Sequence, residues 1–220
     1  MRVWPFSRSV PKVAVLRLSG VIAASGRPVS GGLSVASLDQ SIRRAFSMRG
    51  VKAIALSINS PGGSPVQSAL ISSRIRALAS EKGLPIFAFV EDVAASGGYW
   101  LACAADEIFA DPNSIVGSIG VISSGFGFQE AIHRIGVERR VYSEGKHKAM
   151  LDPFKAEDPE GIAMLKGIQK EIYEGFIEYV QKRRGKRLNG DTEILFNGDV
   201  WTGKRALELG LVDGLGDLYS

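Results

Sequence analysis

Residues 84–105 read LPIFAFVEDVAASGGYWLACAA and contain the most informative turn of the chain. The apolar run 84–90 is typical of a buried strand and 100–105 of a helix, with a small-residue turn between them. Such a turn presents the Ser96 hydroxyl at the mouth of a sheet and at a helix N-terminus, where free N–H groups favour negative charge. By itself the turn fits a nucleophilic serine as well as a serine that caps the helix.

A second segment with the same organisation lies upstream. Residues 51–59, VKAIALSIN, are predicted to form a strand that runs into 60–65, SPGGSP. The two glycines permit positive φ and let a ligand approach the backbone closely. If the two strands are neighbours, both turns meet at one edge of the sheet. In that arrangement, N–H groups near Gly63 and Gly97 would bind an oxyanion beside the Ser96 hydroxyl. The alternative is that the two turns are ordinary βα loops without a chemical role.

The helix after this second turn has recognisable signals at its start. Ser64 fits the N-cap, Pro65 fits the first helical position, and Gln67 completes a capping box. A helix is therefore predicted over 65–79. Its inward residues are expected to be Val66, Ala69, Leu70, Ile75 and Leu78.

Strands and helices alternate along the rest of the chain. Further strands are predicted at 13–22, 107–110, 116–122 and 137–142, and further helices at 37–46, 128–135, 158–184 and 200–209. This alternation, with right-handed crossovers, predicts an α/β fold in which a mostly parallel sheet is flanked by helices. We expect an N-terminal extension at 1–12 and a single domain at 13–220.

Composition narrows the possible functions. The 220 residues carry a net charge of +4 with small, interspersed basic clusters, which indicates solvated surfaces rather than a nucleic-acid site. Attraction to an anionic membrane surface is a weaker hypothesis. Cys103 is the only cysteine; we expect it to be buried, and it excludes an internal disulfide or a multi-cysteine metal site. No secretory signal or transmembrane run is visible, so a cytoplasmic or peripherally membrane-associated chain is expected.

A serine alcohol needs a neighbouring base, and the chain has two histidines. His133 lies in an amphipathic stretch and is expected to be structural. His147 lies in a polar loop and is the better candidate. A Ser-His-Asp arrangement would combine it with Asp152 or Asp92.

A lysine is the other candidate base. Free lysine is protonated at neutral pH, but an apolar cleft lowers the pKa of a lysine enough for general-base work. Lys146 and Lys148 flank His147. The residue types do not distinguish between Lys146 and Lys148 as the base. The ordinary interpretation of a lysine in a loop is a solvated surface charge.

Four motifs occur in the order seen in the S49 peptidases. They are 59–65 (NSPGGSP), 92–99 (DVAASGGY), 117–121 (GSIGV) and 145–148 (GKHK), followed by the closing segments 202–206 (TGKRA) and 209–213 (LGLVD). Over roughly residues 12–219 the chain resembles this signal peptide peptidase A-like family, which has the ClpP/crotonase fold.

The resemblance implies a serine endopeptidase with a Ser/Lys catalytic dyad. Ser96 matches the nucleophile and Lys148 the general base, with Lys146 as the fallback if the loop register differs by two. Ser118 matches a second serine that hydrogen-bonds the lysine and helps to hold it. The oxyanion hole is matched by the glycine turn that contains Gly63 and by the amide of Gly97.

Substrates and partners also follow from the resemblance. It implies peptide or unfolded-protein substrates, such as signal-peptide remnants and other extended apolar peptides, cleaved through an acyl-enzyme on Ser96. It implies a homo-oligomer and requires no metal or organic cofactor. Family members are often anchored in a membrane, and no anchor is visible in this chain.

Three other functions are considered. The nearest is a ClpP-type peptidase with a Ser-His-Asp triad. An acyl-CoA enzyme of the crotonase type shares the fold, but the pairing of Ser96 with Lys148 argues against it. A non-catalytic scaffold that kept the fold is disfavoured because both of these residues are present.

Overall fold

The computed structural model describes residues 11–24 and 32–219, so most of the predicted extension 1–12 and of the loop 23–32 lies outside the described residues. The strands are β1 (Lys12–Ser19), β2 (Val51–Ser60), β3 (Ile86–Ala95), β4 (Glu107–Ala110), β5 (Ile115–Gly117), β6 (Val200–Thr202) and β7 (Gly214–Leu215). The helices are α1 (Val35–Ser47), α2 (Pro65–Lys82), α3 (Gly97–Ala102), α4 (Gln129–Arg134), α5 (Pro159–Arg184), α6 (Thr192–Leu195) and α7 (Gly203–Glu208). None of the described helices is long and apolar enough to cross a membrane.

The strands form one sheet in the order β1-β2-β3-β4-β7, and all of these neighbours are parallel. Beyond the end of β4, the last residues of β3 pair with β5, and β6 runs antiparallel to β5. The predicted α/β fold with a mostly parallel sheet is therefore confirmed. Because β2 and β3 are parallel neighbours, the turns that follow them lie at the same edge of the sheet.

The chain divides into two compact units. The first contains residues 1–120 and 176–220 and holds the whole sheet, and the second contains residues 121–175. The single domain at 13–220 stays a prediction. The first unit carries both predicted turns, and the second carries the loop with the candidate bases.

Helix α2 buries Ile75 and Leu78 as predicted, but not the apolar residues predicted near its start. Val66 and Leu70 are 64% and 45% exposed. The buried residues are Ser68, Ile71, Ser72, Ile75, Leu78 and Ala79. Ser72 donates a hydrogen bond to the Trp100 carbonyl at 3.2 Å. Small hydroxyl side chains face α3 because this helix packs closely against α2, a requirement that apolar periodicity does not reveal.

The helix starts also differ from the prediction. Ser64 caps α2 by accepting the Gln67 N–H at 3.4 Å, but the Gln67 side chain accepts the Val35 N–H at 2.9 Å and so does not close the box. Gln67 instead links the starts of α1 and α2. Helix α1 begins earlier than expected, with Ser34 as N-cap and Ser37 completing the capping box.

Several boundaries were wrong for reasons that lie in the tertiary structure. Strand β3 continues to Ala95, so residues 92–95 belong to the strand rather than to the turn. Of the extended segment predicted at 116–122, only residues 116 and 117 belong to a strand, β5. The strand ends there because Gly117 and Ser118 have positive φ. Residues 137–142 form no strand. Residues 200–202 form β6 instead of opening a helix.

The second unit has its own small aromatic centre. The Phe128 ring lies 6.0 Å from the Phe126 ring and 5.6 Å from the Phe154 ring, centroid to centroid. The Arg139 guanidinium lies 5.0 Å from the centroid of Phe154 and donates to Asp152 at 2.9 Å. Helix α4 agrees with the helix predicted at 128–135.

A buried ion pair fixes the C-terminal end of α5 in the first unit. The Arg184 side chain is 1% exposed and donates to Asp213 at 2.7 Å and to the Gly210 carbonyl at 2.8 Å. Asp213 also accepts the Ile108 N–H at 2.8 Å. These contacts join α5, β4 and the last segment of the chain.

Replacement of Arg184 by methionine should leave the Asp213 carboxylate without its main buried partner. We expect the free energy of unfolding to fall by about 3–5 kcal/mol, measured by urea unfolding at neutral pH. Arg205→Met is the control, because it breaks an exposed pair with Glu208 and should cost less than about 1 kcal/mol. Equal losses in the two variants would contradict the prediction.

Candidate active site

Ser96 occupies the junction between β3 and α3. Its backbone has φ 52° and ψ −121°, a conformation that a residue with a side chain rarely adopts and that costs about 1–3 kcal/mol. Its N–H donates to the Gly117 carbonyl at 2.7 Å, and its carbonyl accepts the Trp100 N–H at 3.0 Å. The side chain makes no capping hydrogen bond to α3. The helix therefore does not use the Ser96 hydroxyl as a cap, which leaves this hydroxyl available for chemistry.

The glycine turn after β2 lies directly against the Ser96 turn. A Cβ at Gly62 would come within 2.8 Å of the Gly97 nitrogen and 2.9 Å of the Ser96 Cβ. A Cβ at Gly63 would overlap the Ile22 carbonyl. Gly62 and Gly63 have φ values of 100° and 141°, so both positions require glycine for conformation as well as for space.

Two backbone donors at this place have no hydrogen-bond partner among residues 11–24 and 32–219. Ile22 exchanges hydrogen bonds of 2.8 and 2.7 Å with the residues on either side of Gly63, which leaves the Gly63 N–H outside the pairing. The Gly97 N–H belongs to the first residue of α3. Within residues 11–24 and 32–219, neither N–H donates a hydrogen bond. Two free donors at the Ser96 turn are the pattern of an oxyanion hole.

Ser118 lies beside Ser96 through strand pairing. Ala95 of β3 is opposite Gly117 of β5, so the two serines follow directly after paired residues. Ser118 also has φ 52° and donates its N–H to the Asp199 carbonyl at 2.7 Å. Two neighbouring strands are thus each followed directly by a serine with a φ of 52°. The role of Ser118 in holding a base stays a prediction.

Helix α3 is anchored at the end away from Ser96. Arg183 donates to the Cys103 carbonyl at 2.7 Å and to the Ala105 carbonyl at 2.8 Å. The buried Tyr99 hydroxyl donates to the Leu211 carbonyl at 2.7 Å. Cys103 is buried as predicted, and burial raises the pKa of its thiol to about 12. This thiol is therefore a packing group rather than a nucleophile.

The candidate bases lie in the second unit. The exposed Lys146 amine pairs with Glu160 at 2.6 Å, and His147 Nε2 lies 3.7 Å from the same carboxylate. Lys148 is exposed, and its amine makes no ion pair within the described residues of this unit. His133 is exposed on α4, and its expected structural rather than catalytic role stays a prediction.

Neither carboxylate that was considered as a partner for His147 is free. Asp152 accepts the Phe154 N–H and the Arg139 guanidinium, and these bonds hold the pKa of its carboxyl below the usual range. Asp92 accepts the Asn59 side-chain amide at 2.6 Å. Each is engaged by other groups in its own unit.

Sequence reasoning missed two residues of the Ser96 environment, Asp199 and Trp201. Both belong to the segment around β6, which pairs with β5 and brings the Trp201 ring against Gly117. A three-residue strand leaves no periodic pattern, so this pairing was not predicted. The available signal was the pair of glycines in 117–120, which interrupts an extended segment.

A serine at a strained strand–helix junction with glycine N–H groups beside it is an arrangement also found in the class of serine hydrolases that stabilise an oxyanion. Residues 78–219 match the model of peptidase family S49. The chain belongs to peptidase family S49, and the resemblance in its motifs is confirmed.

Similar proteins extend the match over nearly the whole chain. A putative protease of Synechocystis is 31% identical over 218 residues, which cover 97% of this chain and 73% of that protein. A putative signal peptide peptidase SppA of Enterococcus faecium is 31% identical over 93% of this chain and 60% of that protein. A Brucella melitensis protein named Na(+)/H(+) antiporter NhaA is 54% identical over 95% of this chain. The chain spans 28% of the length of that Brucella protein.

Substitution of Gly62 by alanine should displace the Ser96 turn, because the added Cβ has no space beside Ser96 and Gly97. We expect the rate at which a fluorophosphonate probe labels Ser96 to fall about a hundredfold, as for a misplacement of about 1 Å. Gly175→Ala, in α5 where a Cβ meets nothing within 4 Å, is the control and should label normally. Normal labelling of Gly62→Ala would contradict the prediction.

Proposed function

We propose that this chain acts as a serine endopeptidase with a Ser/Lys catalytic dyad. The observation that carries the proposal is the Ser96 hydroxyl, which is unused as a cap and sits in a strained turn. Backbone strain of this kind clusters at functional positions. Membership of peptidase family S49 supports the same reaction class.

In the proposed mechanism, Ser96 Oγ attacks the carbonyl carbon of the scissile peptide bond. The neutral amine of Lys148 takes the hydroxyl proton. The carbonyl oxygen becomes an oxyanion that accepts hydrogen bonds from the Gly63 and Gly97 N–H groups, each worth about 2.7–4 kcal/mol in comparable sites. The Ser118 hydroxyl holds the lysine amine in place.

The tetrahedral intermediate then collapses. The C–N bond breaks, the protonated Lys148 gives its proton to the leaving amine, and the acyl group stays on Ser96. Lys148, neutral again, takes a proton from a water molecule that attacks the ester. A second tetrahedral intermediate releases the carboxylate product and restores the serine hydroxyl.

The choice of Lys148 rests on its sequence spacing and on contacts within the second unit. Glu160 engages Lys146 at 2.6 Å and lies 3.7 Å from His147, whereas the Lys148 amine makes no ion pair within that unit. The contact with Glu160 occupies the Lys146 amine, which favours Lys148 over Lys146 as the base. The engagement of Asp152 with Arg139 weakens the triad alternative that uses His147.

The substrates proposed are peptides in extended conformation with apolar side chains, including remnants of signal peptides. Support comes from the relative named signal peptide peptidase SppA. We further propose that the chain works as a homo-oligomer and associates peripherally with membranes, where such peptides are released. No cofactor enters the mechanism.

Cleavage of casein by five proteins tests the dyad: the unaltered chain, Ser96→Ala, Lys148→Ala, Lys146→Ala and His147→Ala. We expect losses of at least about a thousandfold for Ser96→Ala and Lys148→Ala. Lys146→Ala removes only an exposed ion pair and should stay within about twofold of the unaltered chain. Oligomeric mass is recorded on the same samples.

The outcomes separate the competing functions. Activity in Lys148→Ala together with its loss in His147→Ala would replace the dyad by a histidine mechanism. Activity in Ser96→Ala would exclude Ser96 as the nucleophile. An inactive unaltered chain that also fails to react with the fluorophosphonate would contradict the proposed function as a whole.

The pH dependence gives an independent test of a lysine base. Only the neutral amine accepts a proton, so kcat should decrease as the pH falls, by about tenfold per pH unit on the acid limb. The measurement is peptide hydrolysis across the mildly acidic to alkaline range, with circular dichroism to show that the chain stays folded. Full activity at mildly acidic pH would indicate a histidine base instead.

A further inference from the structure

We infer that Trp201 is a positioning residue for the Ser96 turn, an inference that rests on the proposed function. Trp201 belongs to β6, opposite Val116 of β5. No residue of the proposed mechanism lies on β6. Its contribution is therefore to the geometry of the nucleophile rather than to bond making.

The first link is the contact between Trp201 and Gly117. The Cδ1 atom of the indole lies 3.0 Å, and Nε1 lies 3.5 Å, from the position that a Cβ would take at Gly117. The ring thus fills the space that a side chain would occupy there. Gly117 has φ 111°, so the ring presses against a backbone that only glycine adopts readily.

The second link runs from Gly117 to the nucleophile. The Gly117 carbonyl, at the end of β5, accepts the N–H of the strained Ser96 at 2.7 Å. A shift of the Gly117 peptide would move this carbonyl, and the Ser96 turn would relax towards an ordinary conformation. The indole therefore supports the unusual backbone of Ser96 through one intervening residue.

The third link concerns Ser118, which follows Gly117. Its N–H donates to the Asp199 carbonyl, two residues before Trp201, at 2.7 Å. The segment that carries Trp201 therefore holds both residues at the end of β5. The proposed base-orienting serine and the carbonyl that supports Ser96 depend on the same short strand.

The polar atom of Trp201 shows which property of the side chain is used. Among the described residues, Nε1 is a buried side-chain donor with no hydrogen-bond partner. A buried unpaired N–H destabilises the folded state. The flat ring of Trp201 is therefore the property that supports the Ser96 turn. A phenylalanine at this position should preserve that support and remove the destabilisation that comes from the unpaired N–H.

Four variants test the inference: Trp201→Phe, Trp201→Leu, Trp201→Ala and the control Val200→Ala, whose side chain is 52% exposed on the same strand. Active-site titration with a fluorophosphonate gives the number of competent sites. The labelling rate constant, kcat and KM are then expressed per competent site. Thermal unfolding of each variant is measured in parallel.

We expect Trp201→Ala to lower kcat and the labelling rate constant about tenfold or more per competent site with KM unchanged, because the residue orients the nucleophile without touching the peptide. Trp201→Leu should be intermediate. Trp201→Phe should recover at least about half of the rate and melt no lower than the unaltered chain. Val200→Ala should behave as the unaltered chain.

Other results would overturn the inference. Trp201→Ala with unaltered rates per competent site would show that the residue only stabilises the fold. If Trp201→Ala does not fold, unaltered rates in Trp201→Leu lead to the same conclusion. Failure of Trp201→Phe to recover activity would show that the N–H, not the ring, is used. An unaltered chain that neither labels nor cleaves contradicts the proposed function instead.

Discussion

The close approach of the Gly62–Gly63 turn to the Ser96 turn is the constraint on which the site depends. Neighbouring parallel strands bring two strand–turn–helix junctions to one sheet edge, but ordinary side chains would keep their backbones apart. The glycines remove that obstacle. As a result, a strained serine lies at the start of α3 beside two N–H groups that have no hydrogen-bond partner within the described part of the chain.

Most of the fold could be predicted because its signals are local. Glycine and proline mark the ends of β2 and β3, and the long apolar stripe of α5 defines that helix within a residue at either end. The apolar periodicity of α2 predicted the burial of Ile75 and Leu78 but not that of Ser68 and Ser72, because these two serines are selected by the proximity of α3. Likewise the short strand β6 exists only because β5 is there to pair with it.

The site shows the same division between local and tertiary information. Ser96, Gly63 and Gly97 were identified because each lies in a motif with a local backbone requirement. Trp201 and Asp199 were missed because their contacts with residues 117–118 arise from an antiparallel pairing over a long sequence separation. Residues in a motif are recognised from the local sequence, whereas the residues that pack against them are recognised only from the tertiary structure.

The position of β6 after β5 in the chain has a consequence for the synthesis of the protein. The carbonyl that accepts the Ser96 N–H belongs to β5, and the other edge of β5 is paired by residues 199–202. A ribosome makes Ser96 about a hundred residues before it makes that strand. During translation the sheet edge beside the Ser96 turn therefore stays incomplete until residues 199–202 have emerged.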